Sequence, residues 1–158
     1  MIHIRTVKKS EEAMLHNLMQ FYIYEFSKYI PEIKLEDDCT YKPFELSQYW
    51  EEKTHHAFFI CLDAKIIGFT FIENDQDTNR VLEFFVLASY QSKGVGKAAA
   101  RKLFESFSGY WKVSQIEKNY PAQAFWRSLI SDVTNGEMKE EYRKGKYIQS
   151  FHTSSLST

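Results

Sequence analysis

The sequence predicts a mixed α/β (α+β) fold, a mostly antiparallel central sheet flanked by helices in one domain. Three observations predict it. First, the β-rich runs His56–Leu62, Lys65–Glu73 and Val81–Leu87 follow one another across short polar gaps, which requires antiparallel neighbours. Second, the later β-rich runs are separated by two stretches with apolar residues at helical spacing, which requires a parallel crossover. Third, strand and helix do not alternate throughout, so a doubly wound fold is excluded.

The elements follow in order. Ile2–Val7 alternates apolar and polar residues, as a short strand does. Ser10 can cap a helix that has Glu11 and Glu12 in its first turn, where negative charge is favoured. Leu15, Leu18, Met19, Tyr22 and Phe26 form its buried stripe, and Pro31 marks its end. Glu32–Pro43 is polar and acidic and reads as a loop, and Glu45–Lys53 as a second short helix. Asp63-Ala64 and Asn74–Asn79 are the turns between the three middle strands. The basic helix Gly94–Ser108 carries Val95, Ala98, Ala99, Leu103, Phe104 and Phe107 inward and Lys97, Arg101, Lys102 and Glu105 outward. Gly109 ends it, and Tyr110–Glu117 is the next strand. Pro121 suits the first turn of another helix, with Ala122, Phe125, Trp126 and Leu129 inside. Val133–Arg143 and Lys146–Thr153 read as the last two strands, and Thr153–Thr158 as a frayed tail of the single domain 1–158.

Composition narrows the function classes. A chain of 158 residues with 13 Phe, 10 Tyr and 3 Trp suits one compact core. A formal net charge of −1 gives no reason to expect nucleic acid or an anionic membrane as partner. Cys39 and Cys61 are far apart and lack CxxC spacing, so neither a disulfide framework nor a metal site is expected. His55-His56 has no third partner at ligand spacing and reads as a turn. The N-terminus lacks the apolar core of a signal peptide, and the longest apolar runs, such as Ala57–Leu62, are too short to span a bilayer. The expectation is a cytoplasmic protein.

The chemistry centres on Leu82–Arg101. This stretch reads as an apolar strand, a polar loop with Gly94 and Gly96, and the start of the basic helix. A helix start presents unpartnered N–H groups and a positive dipole end, which favour an anion. Three phosphate-bearing ligands compete for it. A nucleoside triphosphate loop needs a glycine where Gln91 stands and a Ser/Thr where Ala98 stands, so it fails. A dinucleotide site is met by Gly94-Val95-Gly96-Lys97-Ala98-Ala99 and by Glu117 about 20 residues on. However, the glycines fall well past the strand end at Leu87, and too little chain remains for a second βαβ half. The third reading is coenzyme A. Gln91-Ser92-Lys93-Gly94-Val95-Gly96 is a Q-x-x-G-x-G loop, and Asn119–Trp126 follows on the later helix with the pattern N-x-x-A-x-x-F-W.

These two motifs, in this order and on these elements, resemble the pyrophosphate loop and the N-x-x-A-x-x-[FL]-Y helix of the GNAT N-acetyltransferase superfamily. Glu83–Arg101 with Phe125-Trp126-Arg127 also resembles a bacterial GNAT subgroup of predicted acetyltransferases. The resemblance spans nearly the whole chain and implies an acetyl-CoA-dependent N-acetyltransferase. In it, the backbone of Phe85, Val86 and Leu87 holds the pantetheine arm. Main-chain N–H groups of Gln91, Ser92, Lys93, Gly94, Val95 and Gly96 hold the pyrophosphate. Lys93, Lys97 or Arg101 reaches the adenosine 3′-phosphate, and Asn119 contacts pantetheine or merely caps its helix.

Amine attack on a thioester needs a base, because a lysine-like amine has a pKa near roughly 10.4. Glu83, an acid inside the apolar run Leu82–Phe85, matches the position of the family's base carboxylate. A backbone N–H near Val86 would polarise the carbonyl. The family's acid, the tyrosine closing the second motif, is Trp126 here and cannot protonate a thiolate. Water or Tyr120, the nearest tyrosine in sequence, would take that role; otherwise the chain is a catalytically weak CoA-binding or regulatory domain. The expected partner is a small-molecule or peptide amine, met by Tyr22, Tyr24, Phe26 and Tyr29 with Glu32, Glu36, Asp37 and Asp38. A homodimer is compatible with the family.

Overall fold

A computed structural model describes residues 1–153. The chain runs β1 (Ile2–Thr6), α1 (Glu12–Phe26), α2 (Gln48–Glu51), β2 (His55–Leu62), β3 (Lys65–Asp75), β4 (Thr78–Val86), α3 (Val95–Ser106), β5 (Tyr110–Ile116), α4 (Tyr120–Thr134), β6 (Lys139–Arg143) and β7 (Lys146–His152). The strands form one sheet in the order β1-β2-β3-β4-β5-β7-β6. Every neighbouring pair is antiparallel except β4 and β5, which α3 connects by a crossover. The expected element order and mixed sheet are both present.

Alternation along the strands builds two cores. Phe59, Phe69, Phe71 and Phe85 point to one face, where Leu15, Met19 and Tyr22 of α1 cover them. Ile72, Trp111, Val113 and Phe151 point to the other, under Leu103 and Phe104 of α3 and Trp126, Leu129 and Ile130 of α4. No helix among the described residues is long and apolar enough to cross a membrane.

Several boundaries differ from the sequence reading. His55 and His56, read as a turn, open β2, where they pair with Glu73 and Ile72. The β3–β4 turn is only Gln76-Asp77, because Asn74 and Asn79 pair across the hairpin. The Asn79 amide reaches the carbonyls of Phe107, Ser108 and Tyr110 at 3.3–3.4 Å, so this polar residue is buried as a clamp on the start of β5. Val133 and Thr134 are helical, since α4 continues to a left-handed cap at Asn135, and only Lys139–Arg143 forms the strand. Thr153 is not frayed: it is buried, and its backbone N–H donates to the Gly109 carbonyl at 2.9 Å. The remainder of the predicted tail, 154–158, lies outside the described residues.

Two local features open the sheet at its centre. The β4–β5 ladder has only three paired positions, Thr78 with Tyr110, Asn79 with Trp111 and Arg80 with Lys112. Just beyond it, Val81 pairs with Ile72 and Glu83 with Phe71, so Leu82 is an extra residue on β4. This β-bulge bends the strand and shifts the alternation by one. Leu82 and Glu83 therefore both face α1, Leu82 in its core and Glu83 against Tyr22, while Val81 and Phe84 pack with the α3–α4 core.

Candidate active site

Glu83 sits where β4 leaves β5, and it is held at both ends. The Thr70 hydroxyl on β3 donates to its backbone carbonyl at 2.7 Å. The Tyr22 hydroxyl on α1 donates to its Oε2. Burial raises the Glu83 carboxyl from the ordinary glutamate range to about 7, against the Tyr22 hydrogen bond and the Lys146 charge, which both favour the ionised form. Burial, followed by the nearby Glu83 charge, also holds the Tyr22 hydroxyl well above its usual value. A carboxyl balanced near neutrality can accept a proton and release it again.

Two cavities meet at this point. One, of about 380 Å³, opens beside α1 and is lined by Tyr22, Phe26 and Tyr29, with Glu83 and, across the gap, Ser114 and Lys146. Glu25 and Lys28 also line it, as an ion pair at 2.8 Å. The other, also about 380 Å³, runs beside α3 and is lined by Val86, Gln91, Gly94, Gly96, Phe125 and Trp126. Phe84, Phe85, Gln91, Pro121, Ala122 and Trp126 border both. A ligand on one side of the sheet can therefore reach a ligand on the other through the gap between β4 and β5.

The second cavity suits an extended, anion-tipped ligand. The Leu87 N–H donates to Ile67 at 2.8 Å, and Phe85 pairs with Phe69, so the intervening Val86 turns its N–H and C=O into the gap. Gln91 closes the strand-to-loop corner by donating from Nε2 to the Val86 carbonyl at 2.7 Å, which leaves the Val86 N–H as the group offered. The loop then reaches α3 through left-handed residues, Ser92 at φ +62° and Gly94 at φ +78°. The first helical bond runs from Ala98 N–H to the Gly94 carbonyl, so the N–H groups of Val95, Gly96 and Lys97 have no partner within the helix. Space beyond Gly94 is open, whereas a Cβ on Gly96 would lie 3.0 Å from the Phe125 ring. A backbone cradle with open space before it fits the pyrophosphate of coenzyme A.

The remaining predicted residues fall in three groups. Phe85 borders both cavities, and Ser92 and Lys97 line the second. The Lys97 ammonium is engaged by α4, 3.0 Å from Ser128 Oγ and 3.8 Å from Asp132. Trp126 is only 5 % exposed and packs edge-on against Phe84 and Phe125, forming a wall between the cavities. Asn119 caps α4 by accepting from the Ala122 N–H at 3.2 Å, and it lines the first cavity. Leu87, Lys93, Val95 and Arg101 line neither: the Leu87 N–H is committed to β3, and Lys93 and Arg101 are exposed.

Tyr120 does not join the site. It is 72 % exposed and borders neither cavity, because the first turn of α4 directs Pro121 and Ala122 inward instead. Tyr24 is 62 % exposed, and the acids Glu32, Glu36, Asp37 and Asp38 also line neither cavity. Sequence reasoning missed the Tyr22 contact and Lys146. Tyr22 read as one member of an apolar helical stripe and of the acceptor wall, and its separation of 61 positions from Glu83 gives no signal of their pairing.

Residues 15–129 match the family model described as the acetyltransferase (GNAT) family. No curated protein matches the sequence. Solved structures that share the fold include an acetyltransferase from Thermus thermophilus, with a TM-score of 0.71, 12 % identity and 96 % of each chain covered. The ribosomal-protein-S18-alanine N-acetyltransferase from Escherichia coli aligns at 0.64 and 14 % identity over 98 % of this chain and 95 % of its own. The PaiA N-acetyltransferase from Thermoplasma acidophilum, solved with coenzyme A, aligns at 0.64 and 11 % identity over 96 % and 99 %. The match over residues 15–129 makes the chain a member of the GNAT acetyltransferase family, acyltransferases that use acetyl-CoA.

Proposed function

We propose that the protein transfers an acetyl group from acetyl-CoA to a primary amine, with Glu83 as the general base. The observation that carries this reading is the position of Glu83, a half-buried carboxyl with a pKa of about 7 on the wall of the first cavity, next in sequence to Phe84 and Phe85, which border both. Bound acetyl-CoA supplies a thioester carbonyl for an amine to attack. The N–H groups at the start of α3 hold its pyrophosphate, and the Val86 backbone orients the pantetheine arm through the gap. The amine enters from the α1 side between Tyr22, Phe26 and Tyr29. It arrives as an ammonium, and a free Glu83 oxygen takes one proton from it before attack. The Val86 N–H faces the gap and favours charge developing on an oxygen there. As the amide forms the C–S bond breaks, and CoA leaves as a thiolate that is protonated through water by the second proton the amine gives up, since Trp126 carries no acid group and Tyr120 borders neither cavity.

The test is thiol release from acetyl-CoA across a panel of amines, amino acids, polyamines and peptide N-termini. The E. coli neighbour acts on an alanine of ribosomal protein S18, so an alanine-led peptide belongs in that panel. Turnover with at least one acceptor is expected, falling by about 10²-fold or more in Glu83→Gln. Undiminished turnover in that variant would remove Glu83 from the role. Stabilisation by CoA with no turnover on any amine would instead favour a binding or regulatory domain.

A further inference from the structure

Glu83 is the only carboxylate on the cavity wall that receives a hydrogen bond from a buried tyrosine among the described residues. Tyr22 comes from α1, on the far side of the first core from the cofactor loop. Its ring is fixed by Phe26, Phe69 and Phe85, with ring centres at 4.8, 5.3 and 5.6 Å. The hydroxyl therefore has one aim, and it meets Oε2 of Glu83. The carboxylate has a second oxygen, Oε1, with no protein donor among the described residues. Its backbone is pinned separately by Thr70.

We propose that Tyr22 is the positioning residue of the base: by holding Oε2 it fixes the carboxyl plane and leaves Oε1 as the atom that takes the acceptor's proton. The N–H bond of the incoming ammonium breaks, the O–H bond on Oε1 forms, and the freed amine keeps its electron pair for the carbonyl. Tyr22 keeps its own proton throughout, consistent with a hydroxyl that burial makes hard to ionise. The proposal rests on the reading of Glu83 as the base.

The arrangement also ties the base to the acceptor wall. Glu25, Phe26, Lys28 and Tyr29, one turn and more beyond Tyr22 on the same helix and its end, line the same cavity. An acceptor seated on that wall touches the element that holds the base. The charged and titratable groups facing Glu83 are Tyr22 from α1, Tyr49 from α2 and Lys146 from β7, with the Glu25–Lys28 pair and Tyr29 farther along the cavity. Of these, Tyr22 alone donates a hydrogen bond to the carboxylate among the described residues.

The experiment titrates the Glu83 carboxyl directly by ¹³C NMR in protein labelled at glutamate Cδ, the signal being assigned from the spectrum of Glu83→Gln. Tyr22→Phe keeps the ring and deletes the donor that favours the carboxylate. Its Glu83 midpoint should rise by about one to two pH units. The acidic limb of kcat/KM should move up with it, lowering the rate at pH 6 about tenfold or more, and the alkaline plateau should fall as well, because the carboxyl plane is no longer fixed. Tyr22→3-fluorotyrosine keeps ring and hydroxyl, makes a stronger donor, and should move the midpoint down. A midpoint unmoved in both variants overturns the role of Tyr22. Undiminished turnover in Glu83→Gln overturns the base assignment beneath it, and the two failures are read in different measurements.

Discussion

Glu83 costs the folded chain stability above neutrality, and the sign follows from its pKa. The carboxyl titrates near 7 in the fold and near 4.5 when exposed. Between those values the folded state holds a proton that the unfolded state has released, so stability falls as pH rises through the window. Two and a half units correspond to about 3 kcal/mol at full effect. Gln at this position can still accept from Tyr22 but does not titrate. The stability difference between Glu83→Gln and wild type should therefore shift in favour of the variant by about 2–3 kcal/mol between pH 5 and pH 8. Urea unfolding at the two pH values measures it, and a difference that stays constant with pH would mean that Glu83 is not held protonated by burial. Glu83 was legible in the sequence because a lone acid in Leu82–Phe85 has no cheap structural explanation. The bond from Tyr22 to Glu83 was not, although Tyr22 was read as part of the acceptor wall, because an aromatic at helical spacing is ordinary core until its hydroxyl is seen to reach another element. Tyr120 was chosen by closeness in sequence, and the direction of a side chain at a helix start cannot be read from closeness.

At the scale of the elements, the sequence pattern located the strands and helices but not the fault that makes the site. Leu82, Glu83, Phe84 and Phe85 read as a plain apolar run, yet Leu82 is a bulge and the residues beyond it change faces. Nothing in composition marks a bulge, since it is a matter of pairing with β3. The opposite strand carries a matching requirement. A Cβ on Gly68 would stand 2.1 Å from the Phe85 carbonyl oxygen and 3.1 Å from Val86 Cα, and both are backbone atoms that cannot swing aside. Gly68→Ala should therefore push β4 off β3 at the residues that face the gap. A loss of about 2–3 kcal/mol or more is expected, at the upper end for overpacking. Thermal unfolding of Gly68→Ala reads the loss, and CoA titration of the same protein should show weaker binding. A variant as stable as wild type would mean that the two strands do not approach this closely. The last helix shows the converse case: Val133 and Thr134 have β-forming side chains, but packing under the sheet and the left-handed cap at Asn135 keep them helical.

Across the whole molecule, the sheet is two parts that share a short seam. β1 to β4 form one continuous antiparallel set, and β5, β7 and β6 form another. Three parallel pairs, the Asn79 amide and the crossover helix α3 join them. Farther along, the two parts separate, and the second cavity is walled by both: Val86, Gln91 and Gly94 from one side, Pro121, Phe125 and Trp126 from the other. A ligand that fills this gap contacts both parts and binds only the folded chain, so it must stabilise the fold as a whole. At about 100 times its dissociation constant, CoA should add about 2.7 kcal/mol. For a chain of this size that raises the melting temperature by roughly 5–10 °C. The rise should grow with CoA concentration, and NAD at the same concentration should leave the melting temperature unchanged. The contrast is informative because Gly94–Ala99 satisfies a dinucleotide pattern by itself. In the structure those glycines lie past the end of β4 at Val86 and line the cavity that Val86, Gln91 and Trp126 also border. Stabilisation by NAD and not by CoA would mean that the loop holds a dinucleotide and that the gap between β4 and β5 is not the cofactor channel.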